Sequence, residues 1–181
     1  TRTVVASKPT SPLSGASASL SAVWSGMTAP SVTTSGSAAP NIARSALAST
    51  VSNAGGLGII ETSSGELDAI RDEIKKMREL TDKPFGVNIA QAFVRDPSIA
   101  DFIVDQGVKF VTTSAGDPTR YCGPLKEAGL TVFHVVPSLK AALKAVEAGV
   151  DGLVVEGGEG GGFKNPREVA SMVLLPLVAE T

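Results

Sequence analysis

The residues of this sequence best suited to chemistry lie in one glycine-rich stretch, VVEGGEGGGFKNP, at positions 154–166. Five glycines surround two carboxylates there, directly after a run of apolar residues. Glycine lets backbone come close to a ligand and present its amide N–H groups, but it also suits a tightly bent loop. The spacing matches neither GxGxxG nor GxxxxGK[ST], which argues against a dinucleotide fingerprint and a P-loop. Loop geometry and ligand contact both stay open.

Other side chains able to do chemistry are few. The chain has one histidine, His134, and one cysteine, Cys122. His134 is the only histidine available as a catalytic base, although a histidine inside an apolar strand is more often a packed residue. Cys122 has no base near it in sequence, and a single cysteine excludes an internal disulfide and a thiolate zinc site. The acidic residues show no metal-ligand spacing, so we predict no metal. Few catalytic side chains beside many backbone donors suit a cofactor that carries the chemistry itself.

A repeating pattern of helix, glycine and buried strand must position these residues. We predict helices over 41–53, 63–80, 97–106, 119–128 and 139–148, several of them closed by glycine. Between them we predict strands over 57–61, 84–90, 108–114, 130–136 and 150–156. Strands that are apolar on both faces indicate a parallel sheet covered by helices. The fold class is therefore α/β.

Local patterns predict which helix faces are buried and where two helices begin. In the first helix the apolar residues near one face are Ile42, Leu47 and Val51. In the second helix they are Leu67, Ile70, Ile74 and Met77, at helical spacing. Ser63 with Glu66 forms a candidate capping box, and Ser138 is a candidate N-cap of the fifth helix.

Two architectures fit this alternation, a doubly wound open sheet and a (β/α)8 barrel. A barrel usually needs about 250 residues, whereas about five strands can be counted here, so a barrel would be partial. Residues 1–40 are rich in Ser, Ala, Thr and Pro, and we predict a low-complexity leader that is disordered or non-native. Residues 41–181 form the incomplete barrel domain.

Polar residues gather after the predicted strands, where parallel α/β folds bind ligands. The residues concerned are Glu61 to Ser64, Asn88, Thr112 to Pro118 and Glu156 to Gly162. The opposite ends of the strands carry ordinary helix stops such as EAG. This asymmetry predicts one site at the carboxyl edge of the sheet.

Composition excludes several classes of partner. The net charge of −2 and the absence of an isolated basic cluster argue against nucleic acid and anionic membranes. No apolar run reaches the length of a membrane span, and the N-terminus lacks the apolar core of a secretory signal. We expect a cytoplasmic protein that acts on a small molecule. Because the chain starts at Thr1 and stops at Thr181 after an apolar run, we expect a fragment.

Five motifs in order resemble the nitronate monooxygenase family, formerly called 2-nitropropane dioxygenase. They are VSNAGGLGII, TDKPFGVNI, VTTSAGDP, EAGVDGLVV and EGGEGGG, and the likeness runs from about Asn41 to the end. The family consists of FMN-dependent (β/α)8 barrels related to a flavin-type enoyl-ACP reductase. The resemblance thus implies a barrel fold and FMN as cofactor. Its usual first strand is absent or scrambled here, and we expect its phosphate-binding loops after residue 181.

The resemblance also implies roles for individual residues. Asn88 matches the asparagine that contacts the flavin, and Glu156 stands where the family has a flavin-binding glutamine. Gly161 and Gly162 match the paired glycines, whereas Phe163 replaces the histidine that acts as catalytic base. The residues that we predict to contact FMN are Asn88, Thr113, Ser114, Glu156, Gly161 and Gly162.

The implied reaction is the oxidation of alkyl nitronates with O2 to a carbonyl compound and nitrite. Phenylalanine cannot accept a proton, so Phe163 cannot deprotonate a neutral nitroalkane, whereas an anionic nitronate needs no base. His134 could supply a base only from elsewhere in the fold. The alternatives are a flavin-dependent enoyl-ACP reductase-like enzyme and an inactive fragment of the family. Exposed strand edges of a partial barrel would favour association into a homo-oligomer.

Overall fold

A computed structural model of the chain describes residues 4–7, 44–160 and 169–181. Its strands are β1 (Val4–Ser7), β2 (Gly58–Glu61), β3 (Phe85–Ala90), β4 (Phe110–Ser114), β5 (Thr131–Val136) and β6 (Gly152–Val155). Its helices are α1 (Ser45–Asn53), α2 (Leu67–Leu80), α3 (Ile99–Asp105), α4 (Thr119–Glu127), α5 (Leu139–Glu147) and α6 (Ser171–Ala179). Strands β2 to β6 and helices α1 to α5 lie inside the ranges predicted for them, whereas β1 and α6 were not predicted.

The six strands form one sheet in the order β1-β6-β5-β4-β3-β2. Strands β2 to β6 are parallel, and each pairs with the strand that follows it in the chain. A doubly wound sheet reverses its strand order at a switch point, whereas a barrel adds its strands in sequence. The observed order is therefore that of a barrel. Strand β1 is the exception because it pairs antiparallel with β6, Val4 opposite Val155.

Helix α2 buries the predicted stripe but does not begin as predicted. Ile70, Ile74 and Met77 are buried, and the charged residues between them face outward. The capping box of Ser63 and Glu66 does not form, because Glu66 itself occupies the N-cap position and makes no side-chain cap bond. At α5 the prediction is confirmed, since the side chain of Ser138 accepts a hydrogen bond from the amide of Ala141. Within the described residues, no helix combines the length and apolar character that a membrane crossing requires.

Helix α1 buries a different face from the predicted one. Leu47 is 43% exposed, Ile42 lies outside the described residues, and the buried side chains are Ser45, Ala48, Ser49 and Ser52. The reason is close backbone contact, because a Cβ atom added at Gly58 would lie 2.0 Å from the Ala48 carbonyl oxygen. Ser52 uses its hydroxyl in the same contact, accepting from the Gly58 amide and donating to the Pro84 carbonyl. Only small side chains fit on the face of α1 that packs against β2, so this face is buried instead of the one with larger apolar residues.

The pleat of the sheet separates two sets of side chains. Val87, Ile89 and Val111 belong to the core that packs against the helices. Because side chains alternate along a strand, Asn88 and its neighbour Thr112 lie on the opposite face, which we call the inner face.

Candidate functional site

Asn88 lies at the centre of a hydrogen-bonded group on the inner face. Its Oδ1 atom accepts from the Thr112 hydroxyl at 2.9 Å, and its Nδ2 donates to Ser114 Oγ at 3.2 Å. Its backbone carbonyl accepts from the Thr62 hydroxyl at 2.8 Å. We call Asn88, Thr112 and Ser114 the Asn88 cluster. These bonds orient the amide so that each of its ends has a partner and retains further hydrogen-bonding capacity.

An aromatic pair lies next to the Asn88 cluster, toward the amino end of the strands. Phe133 is the register partner of Thr112, and its ring centroid lies 5.0 Å from that of Phe110. Gly152 makes room for this ring, because a Cβ atom there would come within 2.6 Å of it. The inner face thus combines an apolar base with polar groups at the carboxyl ends of the strands, an arrangement typical of small-molecule sites.

Thr113 lies on the opposite face of the sheet from Ser114. Its side chain is 1% exposed, and its hydroxyl lies 2.6 Å from Nδ1 of His134 on the neighbouring strand. The side chain of Thr113 is therefore not part of the Asn88 cluster, although we predicted both residues to contact one cofactor. The period-two alternation of strand β4 is the signal that separates them.

A cleft of about 370 Å³ lies over the carboxyl end of β5, and we call it the β5 cleft. His134 lines it and is only 2% exposed. Burial lowers the pKa of His134 to about 4, an effect that the nearby Asp117 carboxylate partly opposes. The imidazole is therefore neutral near pH 7. The remaining residues that line the cleft are Ala115, Gly116, Asp117, Pro118, Val135, Pro137, Ala141, Lys144 and Glu156.

An ion pair forms part of the wall of the β5 cleft. Lys144 of α5 lies 2.6 Å from Asp117 in the loop between β4 and α4. The other carboxylate oxygen of Asp117 accepts from the amide and hydroxyl of Thr119. The Lys144 hydrogen bond, and then those from Thr119, lower the pKa of Asp117 to about 2. Asp117 is thus ionised throughout the physiological range and is unsuited to act as a base.

The loop that carries Asp117 holds an unusual backbone conformation. Ala115 has φ of 53°, in the left-handed region that L-residues rarely adopt. Gln91 packs against the following Gly116, where a Cβ atom would come within 2.5 Å of the Gln91 side-chain oxygen. Gln91 Nε2 also donates to the Asp117 carbonyl at 3.0 Å. Sequence analysis missed Gln91, and its position three residues after Asn88 at the end of β3 is the signal for it.

Part of the glycine-rich stretch is explained by internal packing. A Cβ atom at Gly157 would lie 2.3 Å from both Glu159 Oε2 and the Ser171 amide nitrogen. Glu159 accepts from the Ser171 amide and hydroxyl at the first turn of α6, and these bonds lower its pKa. A Cβ atom at Gly160 would meet the Glu156 side chain at 2.8 Å. Loop geometry therefore accounts for Gly157 and Gly160.

Glu156 differs from Glu159 in its surroundings. It lines the β5 cleft, and burial raises the pKa of its carboxyl group. The predicted positions Gly161, Gly162 and Phe163 lie outside the described residues.

Cys122 has no feature of a reactive thiol. It lies in α4 with its side chain buried, and this burial raises the pKa of the thiol. Among the residues that the structure describes, no group of three His, Cys, Asp or Glu side chains is placed to hold a metal ion.

A family model described as nitronate monooxygenase matches residues 22–102 and 93–181. Among curated proteins, the (3aS,4S,5R,7aS)-5-hydroxy-7a-methyl-1-oxo-octahydro-1H-indene-4-carboxyl-CoA dehydrogenase of Mycobacterium tuberculosis is 37% identical over 134 residues, 74% of this chain and 37% of that protein. The nitronate monooxygenase of Pseudomonas aeruginosa is 28% identical over 176 residues, 74% of this chain and 50% of that protein. The chain thus spans half the length of these relatives or less.

Solved structures show the same fold. FabK from Thermotoga maritima is similar with a TM-score of 0.70 and 38% identity, over 79% of this chain and 45% of that one. Nitroalkane oxidase from Streptomyces ansochromogenes has a TM-score of 0.65 and 20% identity, over 80% of this chain and 54% of that one. Both are TIM-barrel enzymes, which agrees with the sequential strand order.

Proposed function

The chain belongs to the nitronate monooxygenase family, and from that membership we propose that it is part of an FMN-dependent oxidoreductase. The observation that carries this proposal is the Asn88 cluster. Its amide is held by Thr112 and Ser114 on the inner face, at the strand ends where barrel enzymes bind ligands. When bound there, FMN would supply the transfer of electrons that no side chain of the cluster can perform.

The donors of the site suit a flat, polar ring system. Asn88 Nδ2 has a second hydrogen beyond the one given to Ser114, and the Ser114 hydroxyl has one of its own. The aromatic pair beneath offers an apolar surface. We infer that Asn88 and Ser114 bind and orient the ring.

Glu156 can make the hydrogen bonds of the family's glutamine if its carboxyl group is protonated. Burial favours the protonated form of its carboxyl group by raising the pKa. A protonated carboxyl group offers one O–H donor and one carbonyl acceptor, as a glutamine amide offers a donor and an acceptor. We propose that Glu156 takes over the glutamine's contact with the cofactor.

Fluorescence titration tests the cofactor directly. FMN fluorescence should be quenched with a saturable dependence on protein concentration, and FAD should bind more weakly. Equal affinity for FMN and FAD would contradict the choice of FMN. An absence of binding by either flavin would contradict the site itself.

For the substrate we propose first an alkyl nitronate, which O2 converts to a carbonyl compound and nitrite. This reaction suits a chain with Phe163 at the family's histidine position, because a nitronate is already deprotonated. In the described part of the chain the histidine His134 is buried and neutral, and Asp117 is fully ionised. Neutral nitroalkanes should therefore react much more slowly than nitronates.

A second candidate is a reaction on an acyl thioester. It is favoured by sequence, since identity is 37% to the carboxyl-CoA dehydrogenase and 28% to a nitronate monooxygenase. Such an enzyme would dehydrogenate a CoA thioester or, as the flavin-dependent enoyl-ACP reductase-like alternative, reduce one with NADH.

One experiment separates the two substrates. The FMN-loaded protein is mixed without oxygen with ethylnitronate, nitroethane or a hydroxyacyl-CoA, and loss of oxidised-flavin absorbance is followed. Bleaching by ethylnitronate alone supports the first proposal, and bleaching by the thioester alone supports the second. Bleaching by neither, with FMN still bound, would contradict both oxidations, and bleaching by NADH in a further run would then separate the reductase from an inactive member of the family.

A further inference from the structure

The pair formed by Thr113 and His134 has no role in the flavin site proposed above. The two residues are register partners on β4 and β5, and both side chains are almost fully buried. Thr113 Oγ1 lies 2.6 Å from His134 Nδ1, a short distance for such a hydrogen bond.

The direction of this hydrogen bond follows from what each atom can offer. A buried hydroxyl group needs an acceptor for its hydrogen, and Nδ1 of His134 is the hydrogen-bond partner found for Thr113 Oγ1 among the described residues. A neutral imidazole carries one N–H group, so a ring that accepts at Nδ1 carries its hydrogen on Nε2. The geometry therefore selects the Nε2–H tautomer.

The β5 cleft is where this second nitrogen can find a partner. His134 lines the cleft, and no described residue shares a hydrogen bond with Nε2. Nε2 is not among the fully buried side-chain atoms that lack a partner, so a ligand or water in the cleft can accept a hydrogen bond from it. The Nε2–H group is thus available as a donor to a molecule bound in the cleft.

The chemistry of the walls limits what the acceptor can be. The charged group facing the cleft from α5, Lys144, is paired with Asp117, and Glu156 lies on the β6 side. An anionic ligand would meet two carboxyl groups and a cation that already has a partner. A neutral oxygen matches the neutral N–H donor and the apolar residues around it, such as Val135 and Pro137.

We propose that Thr113 is a positioning residue that fixes His134 as the Nε2–H tautomer, and that the β5 cleft thereby binds the carbonyl oxygen of a small neutral molecule. The inference rests on the geometry of the cleft, which shares Glu156 with the flavin contact proposed above but does not require flavin to be bound. It gives Thr113 a role on the helix-facing side of the sheet, separate from the Asn88 cluster.

The tautomer can be measured without resonance assignment, because His134 is the only histidine in the chain. Long-range ¹H–¹⁵N spectra at neutral pH should show one imidazole with Nε2 protonated and Nδ1 unprotonated. Thr113→Val removes the donor and should shift the ring toward a tautomer mixture, whereas Thr113→Ser should restore the wild-type pattern. Thr131→Val, the same change at an exposed position of β5, serves as the control. A wild-type pattern in Thr113→Val, or Nδ1 protonation in the wild type, would overturn the positioning role.

The ligand is tested on the full wild-type chain with cyclopentanone and with cyclopentene, which has the same ring but no oxygen. Cyclopentanone should shift the Nε2–H resonance downfield in a saturable manner, and cyclopentene should not. Thr113→Val should weaken this response and Thr113→Ser should retain it. No shift with cyclopentanone, or equal shifts with both compounds, would overturn the carbonyl site.

Discussion

Asn88 on β3 and Ser114 on β4 are joined by a hydrogen bond of 3.2 Å between Nδ2 and Oγ, across the sheet edge where the polar loops gather. Thr112 completes the arrangement by donating to the other end of the same amide. An asparagine bound at both ends has lost most of its rotational freedom before any ligand arrives. This preorganisation is what the proposed flavin site requires.

Removal of the amide should weaken flavin binding. Asn88→Ala is expected to raise the dissociation constant for FMN about tenfold or more, as for the loss of a hydrogen bond whose partners stay buried. Fluorescence titration measures the effect. Asn53→Ala, which removes a side chain hydrogen-bonded to Leu80 and Thr81 far from the site, should leave FMN affinity unchanged. Equal affinity in Asn88→Ala and Asn53→Ala would exclude Asn88 from the site.

Ala115→Gly should stabilise the protein. Its left-handed φ of 53° costs an L-residue about 1 kcal/mol or more, and glycine does not pay that cost. We expect the free energy of unfolding in urea to rise by about 0.5–1 kcal/mol, after the entropy cost of glycine. Ala128→Gly is the matched control, because Ala128, at the end of α4, has an ordinary φ of −77°. A loss of stability in both variants would show that residue 115 is not strained.

Gly157→Ala should destabilise the protein because the added methyl group would meet the Ser171 backbone and the Glu159 carboxylate. A loss of about 1–3 kcal/mol is expected, as for other overpacked sites. Gly123→Ala is the control, since nothing lies within 4 Å of a Cβ atom there and the residue is inside α4. That control should be neutral or stabilising by up to about 1 kcal/mol. A tolerated Gly157→Ala would mean that the loop is free to move away from α6.

His134 should make stability depend on pH in mild acid. Its pKa falls from 6.5 to about 4 on folding, so the unfolded chain binds more protons between these values and stability decreases as the pH falls through them. The full effect is about 3 kcal/mol. Glu156 acts in the opposite direction, since its raised pKa favours the folded state as it protonates.

The contribution of His134 is isolated by comparison with His134→Asn. The difference in unfolding free energy between wild type and variant should shrink as the pH is lowered from 7 toward 4. A difference that stays constant over this range would show that the imidazole is solvated in the folded state.

Much of the fold can be predicted from sequence because each repeat carries its own signals. The sequence predicts that Gly107, Gly129 and Gly149 end helices, and these residues have left-handed φ angles of 68°, 79° and 83°, respectively. Periodicity likewise identified the buried face of α2. The face of α1 was missed because it depends on how closely Gly58 approaches Ala48, a contact between two elements.

From the sequence, only those features of the site that depend on a residue's position within one strand can be predicted. Asn88 follows from its place at the end of β3, and the opposite faces of Thr113 and Ser114 follow from alternation. Contacts between residues of separate helix–strand repeats leave no pattern in the local sequence. The contact between Asp117 and Lys144 spans 27 residues, and it depends on how α5 packs beside the β4–α4 loop.

The most direct test of the central claim is a visible absorption spectrum of the purified chain after incubation with FMN and desalting. We predict that the protein fraction retains an oxidised-flavin spectrum, and that Asn88→Ala retains much less of it than Asn53→Ala. A colourless wild-type fraction from protein that is folded by circular dichroism would contradict the account, because the Asn88 cluster would then be present without binding flavin.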